Sequence, residues 1–471
     1  MRKQNQLNTS LTPLLPLTMS LIIGIVCCRY LHVGLWGAVL LAVLIAATLL
    51  TRRWPAVQSA ACCLCFGVLG ITIAPEATER DIDGRWTEAV VASVPADRPK
   101  TLMVELLLPT AGEQRRCYIW KDSASRRLAL GDNIEIRLRD GQFVGSSEWH
   151  RGGTARSRLS SFQRLRLKAQ RWRSTLLDRL PADSSGDARA VMAAMTLGDK
   201  SMLTSEVRDL YNSTGAAHVL ALSGLHLSII YMLLTLLVPR NRRYWLVQVL
   251  TVVAIWLYAL LTGLPTSIIR AATMISVYSL FAISGRQHAP LNILCFTAML
   301  MLIVDSSAIS DVGFQLSFMA MAGILLFMPV ADSFFSMKWM ISHPVVHWLY
   351  GLMAVSIAAQ LGTAPLVAYY FGRLTPWFLL TNIVVVPLAT LILGGTLLTL
   401  AVPAVGTAVV WLVSRQNDFL DTMTSLPLAT IDGLRPSVIQ VLMVYVIIAA
   451  LYVILVSRPA FRSRNSRFFS E

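Results

Sequence analysis

Long runs of apolar residues cover most of this chain and restrict its fold more than any other feature. A helix needs about 20 predominantly apolar residues to cross a bilayer, and its backbone must hydrogen-bond within the helix there. Some of these runs precede residue 75, and the others follow residue 186 almost without interruption. The predicted helices are Leu11–Cys28, Val33–Leu50, Pro55–Ala74, Ala216–Val238, Tyr244–Leu261, Thr266–Ile283, Ala289–Val304, Val312–Val330, Val346–Phe371, Leu374–Val402, Val405–Val413 and Val438–Val456.

The composition agrees with a membrane protein. Hydrophobic residues make up 55% of the chain and charged residues only 14%. About a quarter of the residues of a soluble protein are charged, so these values exclude an ordinary soluble enzyme. We therefore predict a polytopic α-helical membrane protein with about 11 to 12 spans and with a small extracytoplasmic β-barrel domain of the OB-like type.

Clusters of Lys and Arg orient the predicted helices, because short cytoplasmic loops are enriched in positive charge. The net charge is +15, and the basic clusters fall in alternate loops and at both ends. This pattern predicts a multi-pass protein of the cytoplasmic (inner) membrane with both termini in the cytoplasm. The clusters are Arg2 and Lys3, Arg52 and Arg53, Arg240, Arg242 and Arg243, Arg286, Lys338, and Arg458, Arg462, Arg464 and Arg467.

The polar segment after the third helix begins with a strand-like region, which we assign to a β domain of residues 75–150. Ile134, Ile136 and Leu138 alternate with polar residues, as in a strand with one buried face. A few short strands close together predict a small barrel of the OB-like type. The predicted strands are Trp86–Val94, Thr101–Leu108, Arg115–Lys121 and Asp132–Arg139.

The second part of the polar segment, residues 151–186, changes to a helical period between Arg156 and Leu180. Apolar residues recur among many arginines, which predicts an amphipathic helix in the membrane interface. Contact with nucleic-acid phosphates is a compatible alternative. The possible DNA contacts are Arg164, Lys168 and Arg171 on this helix and Arg115, Arg116, Lys121, Arg126 and Arg127 on the β domain, where a solvated charged surface is the other interpretation.

Polar residues interrupt the later apolar helices in four places. A charged side chain at the bilayer centre costs about 2.5–3.5 kcal/mol, so such residues usually face a bundle interior or a watery path. The candidate pathway residues are His218, Ser223, Gly224, His226, Arg270, Asp311, Gln315 and Gln360. An ion pair between Arg270 and either Asp311 or Asp305 is the structural alternative, and the histidines alternatively join helices by hydrogen bonds.

The four polar runs resemble the ComEC family of DNA-uptake channels of natural competence. They are Thr214–Leu227, Gly263–Met274, Asp311–Phe318 and Gln360–Arg373, in the family's order and at plausible spacing. The resemblance implies an OB-like extracytoplasmic domain and a membrane channel that passes single-stranded DNA into the cytoplasm. It divides the chain into N-terminal membrane helices (1–74), the β domain (75–150), the basic helix and linker (151–186), the channel domain (187–457) and a basic cytoplasmic tail (458–471).

The chain departs from the fullest family pattern in one respect. Many members end in a metallo-β-lactamase-like domain with a histidine-rich zinc motif, whereas the histidines here form no such cluster. We expect no metal site, no cofactor and no enzymatic activity, and therefore a separate nuclease. A transporter of small anions or lipid-linked molecules is the alternative function. An intramembrane hydrolase that uses Ser223 and His226 is less favoured, because no acid to orient the histidine is apparent.

Energy considerations predict partners. Moving one negative charge inward against the membrane potential costs about 2.3 kcal/mol per 100 mV, and DNA carries a charge at each nucleotide. The run Gly198–Ser201 lacks the upstream glycine of a nucleotide-binding loop. We therefore expect a cytoplasmic ATP-driven translocase and single-strand-binding proteins, together with an extracytoplasmic DNA receptor, single-stranded DNA and membrane lipid as partners. The sequence does not predict the oligomeric state.

Overall fold

The computed structural model describes residues 12–28, 34–74, 86–97, 100–108, 114–137, 143–182, 186–237, 244–283, 289–335, 340 and 342–457. Most of the basic clusters that orient the chain fall outside these residues, namely Arg2, Lys3, Arg240, Arg242, Arg243, Arg286, Lys338 and the tail 458–471. The orientation that they predict therefore stays a prediction.

The chain is mostly helical, and its helices follow the predicted apolar runs. Six of the described helices are long and apolar enough to cross a membrane, and several others carry shorter apolar stretches, which indicates a multi-pass membrane protein. The total of about 11 to 12 spans stays a prediction. The helices are α1 (Leu14–Cys27), α2 (Gly34–Leu50), α3 (Pro55–Ile73), α4 (Ser161–Asp178), α5 (Asp187–Leu197), α6 (Ser205–Ser213), α7 (Ala217–Leu220), α8 (Gly224–Leu237), α9 (Tyr244–Leu261), α10 (Thr266–Ile283), α11 (Pro290–Val304), α12 (Val312–Asp332), α13 (Pro344–Phe371), α14 (Phe378–Thr399), α15 (Gly406–Thr424) and α16 (Val438–Ser457).

A mixed seven-stranded sheet forms the β domain, with the order β6-β4-β3-β1-β5-β7 and with β2 paired to β3. All described pairs are antiparallel except β4 with β6. Val104, Ile119, Ile134 and Ile136 are fully buried in its core, as the predicted alternation requires. The strands are β1 (Trp86–Val91), β2 (Ala96–Asp97), β3 (Thr101–Leu107), β4 (Gln114–Trp120), β5 (Asn133–Arg137), β6 (Phe143–Val144) and β7 (Trp149–Arg151).

The prediction of a closed barrel is wrong for the described part of this sheet. Strands β6 and β7 lie at opposite ends of the order, and no described pairing joins them. Closure requires end strands that are long and staggered enough to meet, whereas β6 has two residues and β7 has three. Over its described residues the domain is therefore an open sheet.

Helix α4 begins with a complete capping box between Ser160 and Gln163. It packs against α9 and α5. Leu167 and Gln170 are its buried residues, whereas Phe162, Leu165 and Trp172 are exposed and present an apolar surface beside the arginines. This distribution agrees with the amphipathic helix that the sequence predicts.

Five of the later helices contact one another in a closed cycle. Helix α8 contacts α10, α10 contacts α12, α12 contacts α13, α13 contacts α14, and α14 contacts α8. We call this arrangement the helix ring. Its tightest junction is between α12 and α13, where Gly323 faces the backbone of Ala358 and Gly362 faces the backbone of Met319. A Cβ atom at either glycine would collide with that backbone, so glycine allows the close approach.

Helix α15 contains almost all of the predicted short span Val405–Val413 and extends well beyond it. The helix continues to Thr424 through Arg415, Asp418 and Asp421, and it is absent from the described helices that are apolar enough to cross a membrane. It packs against α5, α6 and α14, because its apolar face covers their shared core.

Two short strands tie the ends of the α14–α15 hairpin together. Strand β8 (Arg373–Leu374) precedes α14, and β9 (Ile431–Asp432) follows α15. The two strands pair in antiparallel fashion, and the Arg373 guanidinium donates a hydrogen bond of 2.6 Å to the Asp432 carboxylate. The chain therefore enters and leaves the hairpin at the same level.

Hydrogen bonds between distant loops define two faces of the molecule. The Ser306 hydroxyl donates to the carbonyl of Ile73, where α3 ends and the chain proceeds to the sheet. We call this side the sheet face. At the opposite side, the backbone N–H of Leu14 donates to the Asn292 side chain, which brings together the starts of α1 and α11.

Candidate functional site

The run Thr214–Leu227 forms a broken helix instead of the start of one continuous span. Helix α7 ends at Leu220, Ala221 is extended, and α8 begins at Gly224. The break exposes Gly224. A Cβ atom added at Gly224 would lie 3.8 Å from the Ala271 Cβ on α10. The predicted uninterrupted helix Ala216–Val238 is thus wrong at its beginning, because its polar residues bond locally instead of continuing the helix.

Ser223 and His226 form the local bonds that start α8. The His226 Nδ1 atom accepts the backbone N–H of Ser223 at 3.2 Å and lies 3.0 Å from the Ser223 hydroxyl oxygen. This geometry resembles a capping box, with histidine in place of glutamate. His226 is 1% exposed. Neutral His226 therefore carries its proton on Nε2, since Nδ1 is an acceptor.

His218 lies on α7 and is exposed. Its Nδ1 atom is 3.1 Å from the carbonyl oxygen of Gly215. Gly215 in turn lies against Thr375, just before α14. The histidine run therefore contacts both α10 and the start of α14, two members of the helix ring.

Arg270 lies one turn inside α10 and is 6% exposed. Its Nη1 atom is 3.8 Å from the Asp311 Oδ1 atom, which is an ion pair but too long for a hydrogen bond. Asp311 begins α12, where the same Oδ1 atom accepts the Phe314 N–H at 2.6 Å. Of the two acids that the sequence offered as partners, the structure selects Asp311, whereas Asp305 accepts the N–H of Ser307.

Gln315 and Gln360 occupy different places. The Gln315 side chain joins α12 to the end of α13, since it accepts a hydrogen bond of 2.8 Å from the Tyr370 hydroxyl. Gln360 lines an apolar cavity of about 470 Å³ with residues of α13, α14 and α16, among them Pro365 and Gln440. The structure therefore groups Gln360 with the peripheral helix α16, and Gln315 with the sheet face near Asp311.

A second polar cluster, which the sequence analysis missed, fixes α4 to the membrane domain. Arg166 donates a hydrogen bond of 2.7 Å to the carbonyl of Gly263. Arg173 donates to Gln170 at 3.0 Å and forms an ion pair with Asp199 at 3.3 Å. We call these residues, with Gly263, the α4 anchor.

The α4 anchor is buried, and its position relates the basic helix to the helix ring. Burial lowers the pKa of the Arg173 guanidinium, and the adjacent Asp199 carboxylate opposes that shift. Gly263 has φ +94° and Leu264 has φ 59°, so the turn between α9 and α10 is a left-handed one. Arg270 follows on α10, seven positions after Gly263. The basic helix therefore contacts the turn that starts the arginine-bearing helix.

The sequence contained one signal for this cluster. Asp199 follows an apolar helix and a glycine. An acidic residue next to an apolar segment is seldom buried unless it has a partner. In the structure its Oδ1 atom accepts the N–H of Ser201 at 2.8 Å while Oδ2 faces Arg173. The run Gly198–Ser201 is thus a turn that holds a buried carboxylate.

The basic residues of the β domain lie on its surface. Arg115, Arg116, Arg126 and Arg127 are exposed, and Lys121 is half-buried. Arg116 forms an ion pair of 3.2 Å with Glu105, so part of its charge is balanced. Burial and then the positive charges of Arg208 and Arg116 lower the pKa of Lys200. Arg116 therefore faces the loop after α5, where basic residues accumulate.

Arg164, Lys168 and Arg171 share one face of α4. They line a hollow of about 890 Å³ together with Asn133 and Thr154 of the β domain. All three are exposed. An open hollow with three positive side chains suits an anionic polymer, and DNA contact by these residues stays a prediction.

The described residues contain no group of three or more His, Cys, Asp or Glu side chains that could hold a metal ion. The seven cysteines at positions 27, 28, 62, 63, 65, 117 and 295 are free thiols.

Comparisons with known proteins agree with the arrangement of polar runs. A family model described as Competence protein matches residues 195–458. The chain is 30% identical over 216 residues to ComE operon protein 3 of Bacillus subtilis, which covers 45% of this chain and 25% of that protein. It is 24% identical over 310 residues to Recombination protein 2 of Haemophilus influenzae, which covers 63% of this chain and 38% of that protein.

A third relative, an uncharacterized protein of Aquifex aeolicus, is 33% identical over 202 residues, or 42% of this chain and 45% of that protein. The alignments thus cover less than half the length of these relatives. No solved structure matches the chain. Because the matching family model covers more than half of the chain and contains all four polar runs from Thr214 onward, the chain belongs to the Competence protein family.

Proposed function

We propose that this protein is a membrane channel that takes up single-stranded transforming DNA across the cytoplasmic membrane during natural competence. Family membership supports a role in DNA uptake. The observation that carries the proposal is the helix ring, which has a buried guanidinium, that of Arg270, near its sheet face. A conduit for a polyanion needs cationic and polar groups in place of water around the phosphates.

In this proposal the sheet face is extracytoplasmic and both termini are cytoplasmic. The pairing of β8 with β9 supports that topology, because it returns the α14–α15 hairpin to its starting level before α16 crosses. The remaining apolar helices then give about 11 to 12 spans if the hairpin enters the bilayer. Cysteine labelling of the loop between β9 and α16 from outside intact cells tests the orientation.

The strand reaches the channel along basic surfaces. Arg115, Arg116, Lys121, Arg126 and Arg127 of the β domain receive it, and Arg164, Lys168 and Arg171 of α4 hold its phosphates in the hollow. Their exposure and charge support this route. The exposed apolar residues Phe162 and Trp172 meanwhile rest in membrane lipid.

Inward movement depends on partners. Each nucleotide carries a charge against the membrane potential, at about 2.3 kcal/mol per 100 mV. A cytoplasmic ATP-driven translocase pulls the strand, single-strand-binding proteins trap it, an extracytoplasmic receptor delivers it, and a separate nuclease supplies the single strand. The channel itself catalyses no reaction in this proposal.

Gene deletion with complementation tests the function. We expect transformation frequency to fall to background in the deletion strain and to return with the wild-type chain. Arg270→Gln and His226→Ala should fail to complement, while the protein reaches the membrane in normal amount. Arg373→Gln is the matched control, since its ion pair lies on the same face but is exposed. Wild-type transformation in the deletion strain would contradict the proposal.

The apolar cavity beside Gln360 favours a second candidate function, the transport of a lipid-linked molecule. Its lining from α13, α14 and α16 is almost entirely apolar, and its volume of about 470 Å³ suits an acyl or polyprenyl chain. Substitution of Val444 by Trp would fill the cavity. Loss of lipid-linked product export in this variant, with normal transformation, would favour the transporter.

A further inference from the structure

The guanidinium of Arg270 lacks the partners that its position requires. Arginine has five N–H donors and keeps its charge in proteins. The Nε atom of Arg270 has no hydrogen-bond partner among the described residues. The nearest carboxylate oxygen, Oδ1 of Asp311, is 3.8 Å from Nη1. A buried cation with unfilled donors is unfavourable within a membrane domain, so these donors favour a further anionic partner.

Asp311 is a weak partner because it serves two groups and is more exposed than Arg270. Its side chain is 45% exposed, against 7% for the side chain of Arg270. Its Oδ1 atom already accepts the N–H of Phe314 at 2.6 Å, as the cap of α12. The carboxylate can therefore turn toward water without leaving a buried charge behind on the acid.

The first turn of α12 adds hydrogen-bond donors to the same place. The first N–H groups of a helix have no partners within it, and they attract anions. A Cβ atom at Gly313 would lie 3.2 Å from Arg270 Nη2 and 2.9 Å from Asp311 Oδ1. Gly313 therefore keeps the space between the guanidinium and the helix start open.

We propose that Arg270 and the first turn of α12 form a binding site for one phosphodiester group, from which Asp311 is displaced as an exchangeable counter-ion. A phosphodiester carries one negative charge and two free oxygens, which match the fork of a guanidinium. This inference rests on the proposed function and names the group that each nucleotide presents to the channel.

The counter-ion makes the site suitable for passage. Conduction requires binding that is favourable enough for entry and weak enough for release. When a phosphodiester binds, the Asp311 carboxylate turns toward solvent. When the carboxylate returns to Arg270, it competes with the phosphodiester and releases it. The charge of Arg270 is balanced in both states.

Binding measurements on the full chain in nanodiscs test the site. The ligand is a fluorescent oligothymidylate, and its uncharged methylphosphonate analogue is the control. Arg270→Gln should weaken oligothymidylate binding by about tenfold to a hundredfold. It should also make the salt dependence shallower by about 0.7 in log–log slope, as for one lost phosphate contact. Arg270→Lys should retain the salt slope, which shows that the charge, and not the fold, is measured.

Glycine variants test the space. Gly313→Ala should weaken binding, because its methyl group fills the gap between Arg270 and Asp311. Gly351→Ala is the matched control, since nothing lies within 4 Å of its added methyl group. Asp311→Asn should bind oligothymidylate more tightly and transport it more slowly. Wild-type binding in both Arg270→Gln and Gly313→Ala would overturn the proposal.

A lipid headgroup carries the same phosphodiester chemistry, so the nanodisc composition separates the sources. Oligothymidylate binding that depends on Arg270 in uncharged phosphatidylcholine supports a nucleic-acid ligand. Dependence on Arg270 only for retention of phosphatidylglycerol overturns it. The proposed function fails separately, if the deletion strain transforms normally. If the Arg270→Gln chain still restores transformation, this inference fails while the proposed function stands.

Discussion

Two arginines of this protein each form an ion pair with an aspartate, and the two pairs differ in how tightly they are held. Arg173 in the α4 anchor has both terminal nitrogens engaged, by Gln170 at 3.0 Å and by Asp199 at 3.3 Å. Among the residues that the structure describes, Arg270 in the helix ring faces one carboxylate, that of Asp311, at 3.8 Å. The side chains of Arg173 and Asp199 are 15% and 11% exposed, whereas Asp311 is 45% exposed.

The difference lies in the acid rather than in the arginine. Asp199 is held in place by its turn and cannot reach water without opening the anchor, whereas Asp311 already borders water. A pair with two buried members resists separation strongly. We therefore interpret the Arg173 pair as structural and the Arg270 pair as exchangeable, and the two predict opposite responses to substitution.

The largest expected effect is on the anchor. Arg173→Met leaves the Asp199 carboxylate buried without its partner, and we expect the free energy of unfolding to fall by about 3 kcal/mol. Thermal unfolding of the purified chain in detergent measures this. The double variant Arg173→Met with Asp199→Asn should recover most of the loss, because no buried charge remains. Additive losses would show that the two residues do not act as a pair.

The turn at Gly263, which belongs to the α4 anchor, should be the next most sensitive position. Gly263→Ala forces a side chain into a left-handed conformation and brings its Cβ to 2.7 Å from the Gln170 amide nitrogen. We expect a loss of about 1–2 kcal/mol in the free energy of unfolding. Gly394→Ala on α14 is the control, since its added methyl group meets nothing within 4 Å. Equal stability of the two variants would mean that α4 does not hold this turn.

Asp311→Asn should change stability little, in contrast to the anchor. Asparagine caps a helix as well as aspartate does, and the lost ion pair with Arg270 is long and half-exposed at Asp311, so the free energy of unfolding should fall by about 1 kcal/mol or less. The measurement is again thermal unfolding, with Asp305→Asn beside it as a second capping position. A loss as large as that of the anchor variants would remove the distinction between the two pairs.

Of the three ion pairs compared, the exposed pair of Arg373 and Asp432 should have the smallest effect on stability. The hydrogen bonds from Arg373 and Thr430 lower the pKa of Asp432. Any contribution to stability is therefore present above the ordinary carboxyl pKa and disappears as the pH falls through the lowered value. Arg373→Gln should leave the melting temperature unchanged at neutral pH. A clear decrease would mean that this pair holds the α14–α15 hairpin closed.

The sequence predicts the helices of this fold better than its long-range pairings. The predicted span Thr266–Ile283 coincides with α10, because an apolar run of bilayer length is a local property. The predicted barrel is wrong for another reason, and so is the predicted end of the short helix at Val413. Whether end strands meet, and whether an apolar face lies against lipid or against α5, depends on residues far away in the chain.

The candidate site was only partly predictable for the same reason. Polar residues inside apolar runs identified Arg270, Asp311 and His226, because bilayer energetics makes such residues unusual. The anchor residue Arg173 escaped notice because it lies in a helix rich in arginine, where no local pattern distinguishes it. Its partner Asp199 is 26 positions away, and one sequence does not reveal that contact.

The glycine contacts between α12 and α13 limit how these two helices of the ring can shift against each other. Where two backbones touch at Gly323 and Gly362, no flexible side chains remain to absorb sliding or rotation. We therefore expect these two helices to shift together. If the ring conducts DNA as proposed, its width can change only at the other junctions, such as the contact between α8 and α14 beside the histidine-bearing break.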